Sequence, residues 1–244
     1  MNSINAYWHP LALALMLLSV MAYAPYASYA QQDNGSNALT VEGKATTAPS
    51  PTMDYVETAA ELATYGLTER DPMALVTAAR ILINAGAQES EATREGEAGA
   101  PDTGEKTRPD VDFTPEGLLN AAREMAEGNE SVTAMVDQTQ SMMGQDRGRI
   151  PKPGTFSDRV SARSTDRWNL GSFRGGELAE VRVRGDGDTD LDCYVYDHNG
   201  NLIDSDTDYT DYCILRWTPR YTGSFRLYVR NLGSIWNGYY GATN

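Results

Sequence analysis

From Thr155 onward the apolar residues of this chain recur at every second position, and that period commits the C-terminal part to half-buried strands. The clearest case runs from Asp190 to Tyr196. Leu191, Cys193 and Val195 share one side, Asp192, Tyr194 and Tyr196 the other, and the run stops at Asn199-Gly200, a hairpin-turn dipeptide that leads back toward Ile203. Similar alternation predicts strands over residues 155–162, 166–170, 178–184, 212–218, 224–230 and 235–243. Short strands at this spacing, separated by turn residues, point to a β-sandwich over residues 155–244.

Ahead of that point the period is helical. Tyr55, Val56, Ala59, Leu62 and Ala63 form one stripe, with Gly66 as a candidate stop. Asp71-Pro72 reads as a cap followed by an N1 proline, and Leu75, Val76, Ala79, Leu82 and Ile83 follow at the same spacing. Thr114-Pro115 repeats the signal before Leu118, Leu119, Ala122, Met125 and Ala126, and Gly128-Asn129 leads into Val132, Met135, Val136, Thr139, Met142 and Met143. Two helical hairpins follow, a small helical domain over 53–146. Its methionines at helical spacing are expected to be core rather than a binding groove. Residues 86–113 between the hairpins are rich in Glu, Gly, Ala, Thr and Pro and are expected to be a disordered insert. Residues 147–154, with Pro151, Pro153 and Gly154, read as a linker.

The fold class is therefore α+β as separate domains, helices first and an all-β sandwich second. The first thirty residues contain no Asp, Glu, Lys or Arg, and the apolar stretch Leu11–Ala24 is followed by Ser28-Tyr29-Ala30, a small-x-small cleavage pattern. Residues 1–30 thus read as a secretory signal, although the usual basic residues are missing from its start, and the stretch is shorter than the ~20 apolar residues that span a bilayer. Residues 31–52, mostly small and polar, read as a tether. The expected location is periplasmic or secreted, with no membrane span in the mature chain. A net charge of -14 without a Lys/Arg cluster argues against nucleic acid as a partner.

Three constellations can carry function. Cys193 and Cys213 are the only cysteines, and in an oxidising compartment they are expected to form a disulfide closing a loop of about twenty residues, with roughly 3 kcal/mol of stabilisation. The second is acidic: no Lys or Arg lies between Gly185 and Leu215, while Asp186, Asp188, Asp190, Asp192, Asp197 and Asp206 could supply oxygen ligands to calcium. The spacing opens like an EF-hand loop and then fails, with Leu191 where glycine belongs and Asp197 where glutamate belongs. The competing reading is that these Asp residues cap turns. The third is a set of outward positions, Arg182, Arg184, Arg216, Arg226, Tyr228 and Arg230, which would give one sheet surface suited to protein or glycan contacts. No nucleophile elbow, zinc-binding histidine spacing or phosphate loop is present, so no catalytic residue is assigned and no cofactor is required beyond the calcium alternative.

The residues from Phe173 to Val183, with Gly175 and Gly176, together with the Asp190–Asp197 segment and the Trp217–Val229 run through Thr222-Gly223-Ser224-Phe225, resemble the bacterial pre-peptidase C-terminal domain. The resemblance covers about residues 156–244. It implies a jelly-roll-like sandwich on an exported protein, acting in adhesion, targeting or folding support, and some members of that and related families bind calcium. Cys193 stands where the family usually has an aliphatic residue, and the helical part matches no peptidase. The function expected is an exported, non-catalytic binding, targeting or stabilising module with a protein or envelope glycan partner. The alternatives are a calcium-dependent adhesion module and an accessory or pro-region for a separate secreted hydrolase.

Overall fold

The computed structural model of the protein describes residues 35–39, 50–106, 112–143 and 153–244. The expected signal segment, residues 31–34 and 40–49 of the expected tether, and most of the expected linker lie outside them.

Four helices form where the periodicity places them: α1 (Pro51–Thr68), α2 (Pro72–Ala85), α3 (Pro115–Met125) and α4 (Glu130–Gln140). Their starts follow local chemistry. The Asp71 carboxylate accepts the backbone N–H groups of Met73 and Ala74, Thr114 accepts that of Gly117, and Asn129 accepts those of Ser131 and Val132. Gly86, at φ 73°, ends α2 in the left-handed conformation that glycine adopts without strain. Gly66 behaves differently from its expected role as a stop. α1 runs through it to Thr68, and a Cβ there would lie 2.8 Å from Leu75 Cδ2 and 3.0 Å from the Asp71 carbonyl oxygen. The glycine is required by the close approach of α1 and α2. Met53, Val56, Ala59, Ala63, Leu75, Ala79, Leu82, Leu118, Leu119, Ala122 and Val136 fill the helical core.

The remainder is a sandwich of two five-stranded sheets. The first has the order β1 (Gln88–Glu89), β3 (Gly154–Val160), β10 (Asn237–Thr243), β5 (Ala179–Gly185), β8 (Tyr212–Trp217); the second β2 (Thr93–Gly96), β4 (Thr165–Phe173), β9 (Gly223–Asn231), β6 (Leu191–Asp197), β7 (Leu202–Asp206). With the two short outer strands β1 and β2 set aside, the order of the other eight is that of a jelly roll, two antiparallel four-stranded sheets exchanging strands along the chain. Val181, Val183, Leu215 and Trp217 of the first sheet meet Leu191, Val195, Phe225, Leu227 and Val229 of the second. A disulfide between Cys193 on β6 and Cys213 on β8, Cα atoms 6.1 Å apart, joins the sheets across this core.

Two stretches differ from their sequence expectation. Residues 86–106 of the supposed disordered insert are ordered against the sandwich: β1 pairs in parallel with β3, and β2 pairs antiparallel with β4. The reason is chemical. A sheet edge satisfies any backbone without requiring apolar side chains, and Arg94 on β2 neutralises the buried carboxylate of Asp166 with two hydrogen bonds of 2.9 and 3.0 Å. Likewise residues 35–39 of the supposed tether are fixed by Asn37, which is fully buried, and residues 51–52 already belong to α1.

The helical core reaches the outer face of the first sheet. Tyr240 and Ala242 of β10 belong to the same buried cluster as α1 and α2, and the Phe113 and Tyr240 ring centroids lie 5.3 Å apart. The first sheet is thus covered on both faces.

Candidate binding face

Coverage of the first sheet decides where its arginines go. Arg182 on β5 is 5% exposed; its Nε donates to Glu180 at 2.6 Å, and its other nitrogens donate to Asp54 at 2.7 Å and to Glu57, both on α1. Burial works to lower the Arg182 pKa, but the hydrogen bonds and charges of Asp54 and Glu180 outweigh it and leave it above its ordinary value. Arg184 reaches Glu57 and Glu61 of α1, and Arg216 on β8 donates to the buried Glu180 at 3.0 Å. These three side chains are the seam between helix and sheet. The expectation of one arginine surface is therefore corrected: Arg182, Arg184 and Arg216 lie on one sheet, Arg226, Tyr228 and Arg230 on the other. Alternation reveals that a residue points away from the core, but it does not say from which layer.

The outer face of the second sheet is assembled by register. Tyr228 on β9 stands between Arg167 on β4 and Tyr194 on β6; Arg226 stands between Asn169 and Tyr196; Arg230 stands between Thr165 and Asp192. The Tyr196 and Tyr228 rings pack edge to face with centroids 5.0 Å apart, and the Arg167 guanidinium lies 5.6 Å from the Tyr228 ring centroid. The Tyr194 hydroxyl donates to Asp192 at 3.1 Å; burial first, then this bond, raise its pKa against the opposing influence of Arg230. Arg226 and Arg230 are exposed, the tyrosines half-buried, and Leu202 on β7 extends the row beside Tyr196 with half its surface open. The face offers aromatic edges and planes with fork-shaped donors between them. Tyr194, Tyr196 and Arg167 were missing from the residues named from sequence, yet the alternation of β6 already set both tyrosines opposite Cys193 and Val195.

The acidic residues do not converge. Asp186 and Asp188 share the ammonium of Lys106, which lies 2.9 Å from Asp188 and bridges to Asp186; Lys106 comes from the ordered insert and supplies the counter-charge that the 185–215 segment lacks. Asp186 also accepts the Gly238 N–H. Asp192 lies on the tyrosine face. Asp197 sits at the β6–β7 turn, and Asp206 accepts the Ile214 N–H at 2.9 Å. Asp190 has its pKa raised, first by burial and then by Asp192, Asp208 and Asp211. Among the described residues no group of three or more His, Cys, Asp or Glu stands so as to hold a metal ion. The six aspartates do not fit a single calcium site, because three of them, Asp186, Asp197 and Asp206, accept backbone N–H groups and two, Asp186 and Asp188, already face a cation.

No family model and no curated protein matches the chain. Solved structures it is similar to include the pre-peptidase C-terminal domain of a Bacillus anthracis collagenase (13% identity, 36% of this chain and 86% of that one, TM-score 0.28) and the Yersinia pseudotuberculosis-derived mitogen (15%, 39% and 86%, TM-score 0.28). A carbohydrate-binding module of Cellvibrio mixtus lichenase 5A, in complex with cellotriose, is another (12%, 37% and 86%, TM-score 0.23). At these scores the likenesses add nothing to the assignment, and the jelly-roll sandwich rests on its own strand pairing. The class defined by fold and site is a helix-flanked sandwich, antiparallel apart from the β1–β3 pair, in which among the described residues the outer face of the second sheet is left open. Among the described residues no helix is long and apolar enough to cross a membrane.

Proposed function

We propose that the chain is an exported, non-catalytic binding protein whose second sheet is its recognition face and whose ligand is a saccharide chain of the cell envelope. The observation carrying this reading is the asymmetry of coverage: helices occupy the outer face of the first sheet, while Tyr194, Tyr196, Tyr228, Arg226 and Arg230 on the second are left beside solvent. Tyrosines supply amphipathic area at low conformational cost, and arginine and asparagine between them supply hydrogen bonds to hydroxyls or carboxylates.

The test is retention on immobilised envelope polysaccharide, followed by titration calorimetry. Tyr228→Ala and Arg226→Ala should each weaken binding by about tenfold, in line with the ~1–3 kcal/mol that a central anchor or charged hydrogen bond contributes, with thermal unfolding close to wild type. Equal retention of wild type and both variants, or none for any of them, overturns the reading.

A further inference from the structure

One end of the sandwich holds a site that the open face does not use. Gly35–Leu39 crosses the β6–β7 turn and the loop between β8 and β9, and Asn37 is fully buried there. Its side-chain amide is read in both directions by one residue: Nδ2 donates to the Tyr221 carbonyl at 3.0 Å, and Oδ1 accepts the Tyr221 N–H at 3.1 Å. Its backbone N–H donates to Asp197 Oδ2 at 2.9 Å. The flanking residues are held through their backbones: the Leu39 N–H donates to the Thr218 carbonyl at 2.8 Å, Arg220 Nε donates to the Ala38 carbonyl at 2.8 Å, and Asn199 donates to the Gly35 carbonyl at 3.4 Å. The wall behind the amide is shaped for it, since a Cβ on Gly223 would lie 3.0 Å from Asn37 Nδ2.

Such a pattern, one buried side chain read by a donor and an acceptor with main-chain hydrogen bonds on either side of it, is that of a peptide in a binding groove. We propose that this end of the sandwich is an asparagine-selective peptide-binding site and that Gly35–Leu39 is its resident ligand. Selectivity follows from the paired donor and acceptor. Aspartate in place of Asn37 sets a carboxylate oxygen against the Tyr221 carbonyl and a negative charge beside Asp197, while alanine leaves both Tyr221 groups unpaired in a buried place. Because the site lies at the turn end and the tyrosines lie on the sheet face, its ligand is separate from the proposed saccharide.

The experiment keeps the whole chain. A specific protease site is introduced between residues 40 and 49, the purified protein is cut, and native mass spectrometry follows how long the severed N-terminal fragment stays bound. Retention in the chain with Asn37 should exceed that in the Asn37→Asp and Asn37→Ala chains by about tenfold or more, the factor expected from losing a buried paired amide. In a second arm, labelled peptides of the 34–39 sequence, with Asn37 or with Asn37→Asp, are offered in excess to the cut wild-type protein, and only the first should be captured. Equal retention of all three fragments, or equal capture of both peptides, overturns the proposal, as does loss of the wild-type fragment with no capture of its peptide. A change in saccharide retention with these variants would show that the two sites are one.

Discussion

Replacing Arg94 by methionine tests whether the strand ahead of α3 is part of the sandwich or merely lies on it. Asp166 is 1% exposed, and its carboxylate receives Arg94 through two hydrogen bonds and the Tyr239 hydroxyl at 2.8 Å; the Trp168 indole N–H donates in turn to Tyr239 at 2.6 Å. Burial leaves the Asp166 pKa above its ordinary value, and Arg94 and Tyr239 oppose that rise and favour the charged carboxylate. Removing one partner of a buried ion pair costs about 3–5 kcal/mol, because the other charge stays behind. Arg94 is itself 28% exposed, so water can partly replace it and the lower end, about 3 kcal/mol, is expected. For a chain of this size that is a fall of roughly 6–12 °C in Tm. The double variant Arg94→Met/Asp166→Asn removes the stranded charge and should recover part of the loss. Thermal unfolding by circular dichroism at pH 7 measures both. If Arg94→Met melts within about 2 °C of wild type, or if the double variant is no more stable than the single, the buried pair is not what fixes the insert.

The disulfide should be worth about 3 kcal/mol, the chain-entropy value for a loop of its 20-residue separation, so Cys193→Ala/Cys213→Ala should lower urea-unfolding stability by that order, and non-reduced peptide mapping should find the two cysteines joined. Two alkylatable thiols in the folded protein would refute it. Asp197 gives a pH dependence of definite sign. Burial pulls its pKa up, but the Asn201 side chain and the backbone N–H groups of Asn37, Asn201 and Asn199 outweigh that and hold it below the ordinary value. Its contribution is therefore present above about pH 3.9 and lost as pH falls toward the folded value; Asp197→Asn should be less stable at pH 7 and show a shallower loss on acidification, and parallel acid limbs would contradict this. Finally, Lys106→Met should strand Asp186 and Asp188 and cost about 3 kcal/mol, whereas wild-type melting curves in calcium and in chelator should superimpose, since the ammonium already stands against both carboxylates. A calcium-dependent rise in the wild-type Tm would sink that account.

What the sequence alone determined were the features carried by near neighbours. Caps such as Asp71-Pro72 and Thr114-Pro115 act within a turn of the chain, so the helices begin where those residues stand. The alternation of Leu191, Cys193 and Val195 with Asp192, Tyr194 and Tyr196 needed only the pleat of one strand to separate core from surface, and it made Cys193 a core residue able to meet Cys213. Tertiary structure decided the rest, because the forces involved act between residues far apart in the chain. Periodicity could not say that Arg182 would meet α1 while Arg226 would face solvent, since both obey the same alternation on different sheets. Composition marked residues 86–113 as too polar to order and missed that a sheet edge pairs their backbone while Asp166, Asp186 and Asp188 give Arg94 and Lys106 their partners. Asn37 is the extreme case: one asparagine in a polar run, ordered because the backbone of Tyr221, 184 residues away, matches its amide atom for atom.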